Sequence, residues 1–154
     1  MDGKHLQIVL AARPVGEPTA EDFRIVEGSL PAAGKGEMLL RTLVMSLDPY
    51  MRGRMNAAKS YAEPVAVGGV MAAGAVSEVV TSDVAGFAPG DTVIGMTGWQ
   101  SHAVSVGSGV TKTDTGEWPL STALGVLGMP GLTAYAGMTN IGRPKKGETV
   151  VVAA

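Results

Sequence analysis

Short runs of branched apolar residues, separated by turns rich in glycine and proline, make up the first two thirds of the chain. Runs of this kind, bounded by turn residues, favour β-strands. We predict strands over residues 6–11, 23–27, 37–47, 70–80, 92–96 and 100–107. Several short strands joined by glycine turns are typical of a small barrel rather than of a flat sheet.

The pattern changes to helical spacing after Trp118. Apolar residues recur at that spacing on both sides of a Gly-Met-Pro-Gly break over residues 128–131, first at Leu120, Ala123, Leu124 and Leu127, then at Leu132, Tyr135 and Ala136. Residues 149–154 follow as an unbroken, largely β-branched apolar run, the pattern of a strand buried on both faces of a parallel sheet. Helices that lead into such a strand are how an α/β unit begins.

The composition fits one folded domain with an appendage. The chain has 154 residues, enough to bury a core, and its 45% hydrophobic content argues against disorder. Its 22 glycines are about twice the ordinary share, which agrees with many tight turns.

Charge and hydropathy exclude several classes of partner. The 12 basic residues against 14 acidic ones give a net charge of −2 without a basic cluster, so we expect no nucleic acid and no anionic membrane surface as a partner. Charged residues, Asp2 and Lys4, occur at the very start of the chain, and no apolar run approaches the roughly 20 residues of a membrane span. We therefore expect a cytoplasmic protein.

The side chains available for metal binding are few. The chain has no cysteine, which excludes disulfides, thiolate nucleophiles and thiolate-bound zinc. Its two histidines, His5 and His102, lie far apart in the sequence. Because catalytic metal sites typically use three protein ligands, we interpret both as surface or structural residues and expect no metal.

Four motifs carry a resemblance to a known family: LDPYMRGRM at 47–55, GFAPGDTVIGMTGWQ at 86–100, LGMPGLTAY at 127–135 and IGRPKKGETVVVAA at 141–154. In this order they resemble signatures of the medium-chain dehydrogenase/reductase superfamily. More narrowly, they are similar to its zinc-free branch of NADPH-dependent double-bond reductases, which includes prostaglandin reductases (leukotriene B4 dehydrogenases) and plant alkenal reductases.

The resemblance implies a mainly β fold with short helices. Residues 1–128 would be a GroES-like (chaperonin-10-like) β-barrel that carries the substrate site. Residues 129–154 would be a linker helix and the first strand of a Rossmann domain that is otherwise absent. No G-x-G-x-x-G occurs in the sequence, so the glycines that cradle a pyrophosphate are missing. We therefore expect an N-terminal fragment that is inactive by itself.

The implied reaction is the transfer of hydride from NADPH to the β-carbon of an α,β-unsaturated aldehyde or ketone. Protonation of the resulting enolate at the α-carbon would complete it. Two alternatives stay open: a quinone oxidoreductase of the same superfamily, and a binding or structural relative without catalysis. An exposed strand edge at 149–154 would also invite pairing with a second copy, so a homodimer is one expected assembly.

The resemblance also assigns site residues. Tyr50 is the candidate catalytic residue, because its phenol could bind the substrate's carbonyl oxygen. Met129 and Thr133 are the candidates for contact with the nicotinamide end of the cofactor, since the helix N-terminus and the backbone exposed at Gly128 and Gly131 would permit close approach of a ligand. We predict a structural role for Arg52, paired with Asp48 on a helical turn that Asp48 caps and Gly53 ends. A further prediction is core packing for Trp99.

Overall fold

The computed structural model describes residues 3–153. The chain forms two compact units, Met1–Asp114 and Thr115–Ala154, which we call the first and the second unit. Their division after Asp114 differs from the predicted end of the substrate domain at residue 128, and that assignment stays a prediction.

Within the described residues, the first unit has a mostly antiparallel β architecture with one short helix. Its elements are β1 (Lys4–Leu10), β2 (Phe23–Ser29), β3 (Met38–Met45), α1 (Tyr50–Arg54), β4 (Ala75–Ser82), β5 (Thr92–Gly95), β6 (His102–Ser105) and β7 (Thr111–Lys112). All six strands expected from the sequence form, with boundaries shifted by a few residues. The two-residue strand β7 is an addition that the sequence pattern did not predict.

A five-stranded sheet, in the order β6-β3-β4-β5-β7, is the larger of the two sheets that residues 3–153 form. Strand β3 lies between β6 and β4, so that Leu40 is paired with Ala103 on one side and with Val79 on the other. Met38, Leu40, Val79 and Val93 point to the same side and form one buried cluster. The period-two alternation of apolar side chains in these strands produces this cluster.

Strand β1 pairs with β2 and also forms backbone hydrogen bonds with the segments that precede β4 and β6. The amide of Ile8 donates to the carbonyl of Trp99 at 2.8 Å, and its carbonyl accepts from the amide of Met71 at 3.0 Å. A second buried cluster of Leu10, Met55, Val65 and Met71 lies beside this junction, with Phe23 and Trp99 packed on it. Trp99 stacks on Phe23 with ring centroids 5.5 Å apart, which confirms its predicted role in core packing.

The second unit consists of consecutive helical turns: a 3₁₀ helix over Leu120–Leu124, α2 over Met129–Ala136, and a π-helical turn over Gly137–Gly142. Gly128 precedes α2, and Pro130 occupies its first turn, where a missing amide hydrogen costs nothing. Both predicted helical segments are present, although the first is a 3₁₀ helix.

The predicted buried strand at the end of the chain is wrong for the residues that the structure describes. Residues 149–153 have no strand structure, and Val151 is 85% exposed; Ala154 lies outside the described residues. A β-strand needs a neighbour for its backbone groups, and residues 149–153 pair with no other described segment. The expected homodimer relied on this strand edge and stays a prediction without that support.

None of the helices among residues 3–153 has both the length and the apolar character needed to cross a bilayer.

Candidate functional site

Tyr50 is the first residue of α1, a helix of five residues that follows β3. The predicted Asp48 cap is wrong: Pro49 is the N-cap residue, without a side-chain hydrogen bond, and the helix runs past Gly53 to Arg54. Asp48 contributes its backbone instead, since its carbonyl accepts from the amide of Met51 at 3.0 Å. Met51 is the residue of α1 that is buried, and it holds the helix on the β structure.

The phenol of Tyr50 is partly buried and stays protonated at neutral pH. Burial raises its pKa, the nearby Asp48 and Tyr61 raise it further, and Arg54 acts in the opposite direction. A neutral phenol can donate a hydrogen bond, which is what a developing oxyanion requires. Tyr50 can therefore serve as a donor over the whole physiological pH range.

Arg52 has a structural role, as predicted, but its partners are not those expected. Its guanidinium donates to the carbonyls of Pro14 and Gly16 and to the side chain of Asn56, not to Asp48. Arg52 thus binds the connection between β1 and β2, whereas the sequence had predicted a partner in its own helical turn.

Met129 and Thr133 lie together at the start of α2 in the second unit, one helical turn apart and on one face. The side chain of Met129 is 70% exposed. The hydroxyl of Thr133 donates to the carbonyl of Met129 at 2.8 Å, which leaves its oxygen free to accept. Together they present an exposed thioether and a hydroxyl oxygen.

The glycines next to this pair do not leave room for a ligand where their side chains would be. A Cβ on Gly128 would come within 2.1 Å of the Ala123 carbonyl oxygen, and one on Gly131 within 1.8 Å of the Val126 carbonyl oxygen. The chain's own backbone therefore fills the space on the Cβ side of both glycines, and close approach of a ligand to their exposed backbone stays a prediction. Glycine is required at both positions so that the start of α2 can pack closely against the preceding turns of the chain.

The structure brings His5 and His102 together, which the sequence distance concealed. Their rings meet edge to face with centroids 6.4 Å apart, because the antiparallel bridge between Gln7 and Gln100 places them opposite each other. Gln100 accepts from the side chains of His5 and Gln7. The alternation of polar residues around His5 and around His102 was the signal in the sequence. Only the pairing of the two segments shows that these polar residues face each other.

Acid should destabilise the first unit through His102. Burial lowers the pKa of His102, and His5 and Arg41 lower it further. In the unfolded chain His102 takes up a proton near pH 6.5, whereas in the folded chain it resists protonation to lower pH. The stability that depends on neutral His102 is therefore fully present above pH 6.5 and is lost as the pH falls below it. We expect His102→Gln to show a smaller drop in Tm between pH 7.5 and 5.5 than the wild type. Equal drops in both proteins would contradict this assignment.

No group of three or more His, Asp or Glu side chains among residues 3–153 is arranged to hold a metal ion. The candidate residues that the structure describes are a phenol on α1 in the first unit and, separately, a thioether and a hydroxyl on α2 in the second unit. Tyr50 offers a proton for a hydrogen bond, and the α2 pair offers an exposed surface for a flat polar ring.

Comparison with known proteins gives a consistent result. A family model described as the N-terminal domain of oxidoreductase matches residues 6–113. The NADPH-dependent curcumin reductase of Escherichia coli K12 is 51% identical over 95% of this chain and 42% of its own length. Prostaglandin reductase 1 of Mus musculus is 45% identical over 90% of this chain and 41% of its own.

A solved structure confirms the fold. The crystal structure of CurA in complex with NADPH from Vibrio vulnificus matches with a TM-score of 0.83 and 52% identity, over 93% of this chain and 42% of that one. The predicted mainly β, GroES-like fold is thereby confirmed. The chain spans less than half of the length of each of these relatives. The resemblance of the four motifs to the zinc-free double-bond reductases of the medium-chain dehydrogenase/reductase superfamily is confirmed, and the chain belongs to the family of N-terminal domains of oxidoreductases.

Proposed function

We propose that the protein acts in the NADPH-dependent reduction of the carbon–carbon double bond of α,β-unsaturated aldehydes and ketones. The observation that carries the proposal is a protonated, partly buried Tyr50 on a fixed helical turn. Relatives that are named NADPH-dependent curcumin reductase and prostaglandin reductase support the cofactor and the class of substrate.

The residues on α2 fit the nicotinamide end of the cofactor. The exposed Met129 side chain offers a polarisable surface for a flat ring. The Thr133 oxygen, whose own hydrogen is directed to the Met129 carbonyl, can accept a hydrogen bond from a carboxamide N–H. These two residues would hold that end, while a glycine-rich pyrophosphate loop is not found in the 154 residues.

When bound, NADPH supplies the hydride that enters at the β-carbon of the substrate. The π electrons of the double bond then move toward the carbonyl, and negative charge develops on its oxygen. Tyr50 would donate a hydrogen bond to that oxygen without giving up its proton, since its raised pKa keeps the phenol neutral. A proton added at the α-carbon from solvent or another acid completes the saturated carbonyl product.

Turnover with a panel of substrates tests this proposal. We would measure loss of nicotinamide absorbance with 2-alkenals, enones including curcumin, and quinones, using the protein expressed from its gene in full. Consumption of NADPH with alkenals or enones and formation of the saturated carbonyl product is the expected result. Turnover restricted to quinones would replace the proposal with the quinone oxidoreductase alternative, and no turnover at all would favour a binding protein.

The 154-residue chain by itself should bind NADPH weakly and turn nothing over. It lacks a G-x-G-x-x-G loop, which in dinucleotide-binding domains provides the backbone amides that hold the pyrophosphate. A titration followed by nicotinamide fluorescence should show at least a hundredfold weaker binding than the full protein, by the roughly 3 kcal/mol that two tenfold steps represent. Equal affinity of both forms would show that residues 1–154 carry the cofactor site.

A further inference from the structure

Helix α1 is too short, and too poorly capped, to be stable by itself. It has five residues and no side-chain cap, and one of its residues, Met51, is buried. Isolated helices of this length are far below the size at which a helix is stable in water. Contacts from outside the helix must therefore determine where Tyr50 points.

Two arginines make such contacts in opposite directions. Arg52, on α1, donates from Nε and Nη2 to the Gly16 carbonyl at 3.0 and 2.8 Å, and from Nη2 to the Pro14 carbonyl at 3.2 Å. Arg13, on the β1–β2 connection, donates from Nη1 to the carbonyl of Met55 at 2.6 Å. Each segment thus sends a guanidinium to backbone carbonyls of the other.

The geometry of this exchange requires arginine. The planar guanidinium carries five N–H groups in a fixed fork, and Arg52 uses three of its nitrogens at once, with Nη1 directed to Asn56 Oδ1 at 2.7 Å. Lysine has a single rotatable ammonium and cannot reproduce such a set of contacts. Gly16, whose carbonyl accepts from Arg52, has a backbone φ of +82°, which glycine adopts without strain.

We propose that Arg13 and Arg52 form a reciprocal clamp that sets the position of the Tyr50 phenol, so that both are positioning residues for the reduction. This inference rests on the proposed function, because the clamp matters for the rate only if Tyr50 contacts the substrate. Because the partners are backbone carbonyls, substitutions elsewhere in the β1–β2 connection will alter the clamp only if they move the backbone of that connection.

The test compares Arg52→Lys and Arg13→Gln with the control Arg24→Gln, whose arginine lies exposed on β2. In the full protein, each clamp variant should lower kcat for an enone about tenfold and leave the KM for NADPH unchanged, since misplacement affects the reacting geometry. Hydrogen exchange of the amides in residues 51–56 should rise about tenfold, as expected for loss of a charge-assisted hydrogen bond. The control should change neither quantity.

The outcomes separate this inference from the proposed function. If the wild type turns over enones and the clamp variants keep the kcat of the control, the clamp is not a positioning device, even if Tm falls. If the wild type does not turn over enones, the proposed function fails and the inference fails with it. Arg13 contacts the end of α1 from the β1–β2 connection, so Arg13→Gln still tests the clamp if the Arg52→Lys protein does not fold.

Discussion

Phenylalanine in place of Tyr50 is expected to lower kcat for enone reduction by about a hundredfold, the usual cost of removing one donor to a developing oxyanion. The ring remains, so that packing around α1 is preserved, and only the hydrogen bond to the carbonyl oxygen is lost. KM for NADPH should stay within about twofold, because the interaction strengthens as charge develops in the transition state. Steady-state kinetics of the full protein with an enone at saturating NADPH measure both quantities.

Tyr61→Phe is the matched control for this substitution. Tyr61 lies near enough to raise the pKa of Tyr50, yet its own side chain is 84% exposed. The control should keep kcat within about twofold of the wild type, the range of an exposed side chain that makes no transition-state contact. Equal rates for the two phenylalanine variants would remove Tyr50 from the mechanism.

Alanine in place of Gly131 is expected to have the largest effect on stability. The added Cβ would lie 1.8 Å from the Val126 carbonyl oxygen and 2.5 Å from its carbon, and both are backbone atoms that cannot rotate away. Overpacking of this kind costs about 3 kcal/mol or more, so that amides of α2 should exchange about a hundredfold faster in the full protein. NADPH should also bind more weakly, since Met129 and Thr133 depend on this turn.

Gly137→Ala provides the comparison within the same run of helical turns. A Cβ on Gly137 would meet no atom within 4 Å, and alanine favours a helix over glycine by up to about 1 kcal/mol. Exchange in α2 should therefore be unchanged or slower in this variant. If Gly131→Ala behaves like Gly137→Ala, the close packing against Val126 is not part of the folded state.

The strands could be predicted from the sequence because their signals are local. Branched apolar runs and positive-φ turn glycines such as Gly90 mark their boundaries. Pairing order and the two-residue strand β7 could not be predicted, since they depend on contacts between distant segments. The run at 149–153 illustrates the same limit, because an apolar pattern specifies a strand only when a neighbour is present.

The candidate site divides in the same way. Tyr50, Met129 and Thr133 were found through the family resemblance, since nothing in their spacing alone indicates chemistry. The partners of Arg52 and the contact between His5 and His102 require knowledge of how the β1–β2 connection folds and of the strand register. Every residue has a backbone carbonyl, so residue type does not indicate which carbonyl accepts a hydrogen bond from a distant side chain. Pro14 and Gly16, the acceptors for Arg52, are examples.

The most direct test of the proposed reaction is the position of the transferred hydrogen. The full protein would be supplied with NADPH deuterated at the transferring position of its nicotinamide and with a conjugated enone, and the product would be analysed by NMR. Hydride transfer to the carbon–carbon double bond predicts deuterium on the β-carbon of a saturated ketone. Deuterium on the carbonyl carbon of an alcohol, or an unlabelled product, would contradict it.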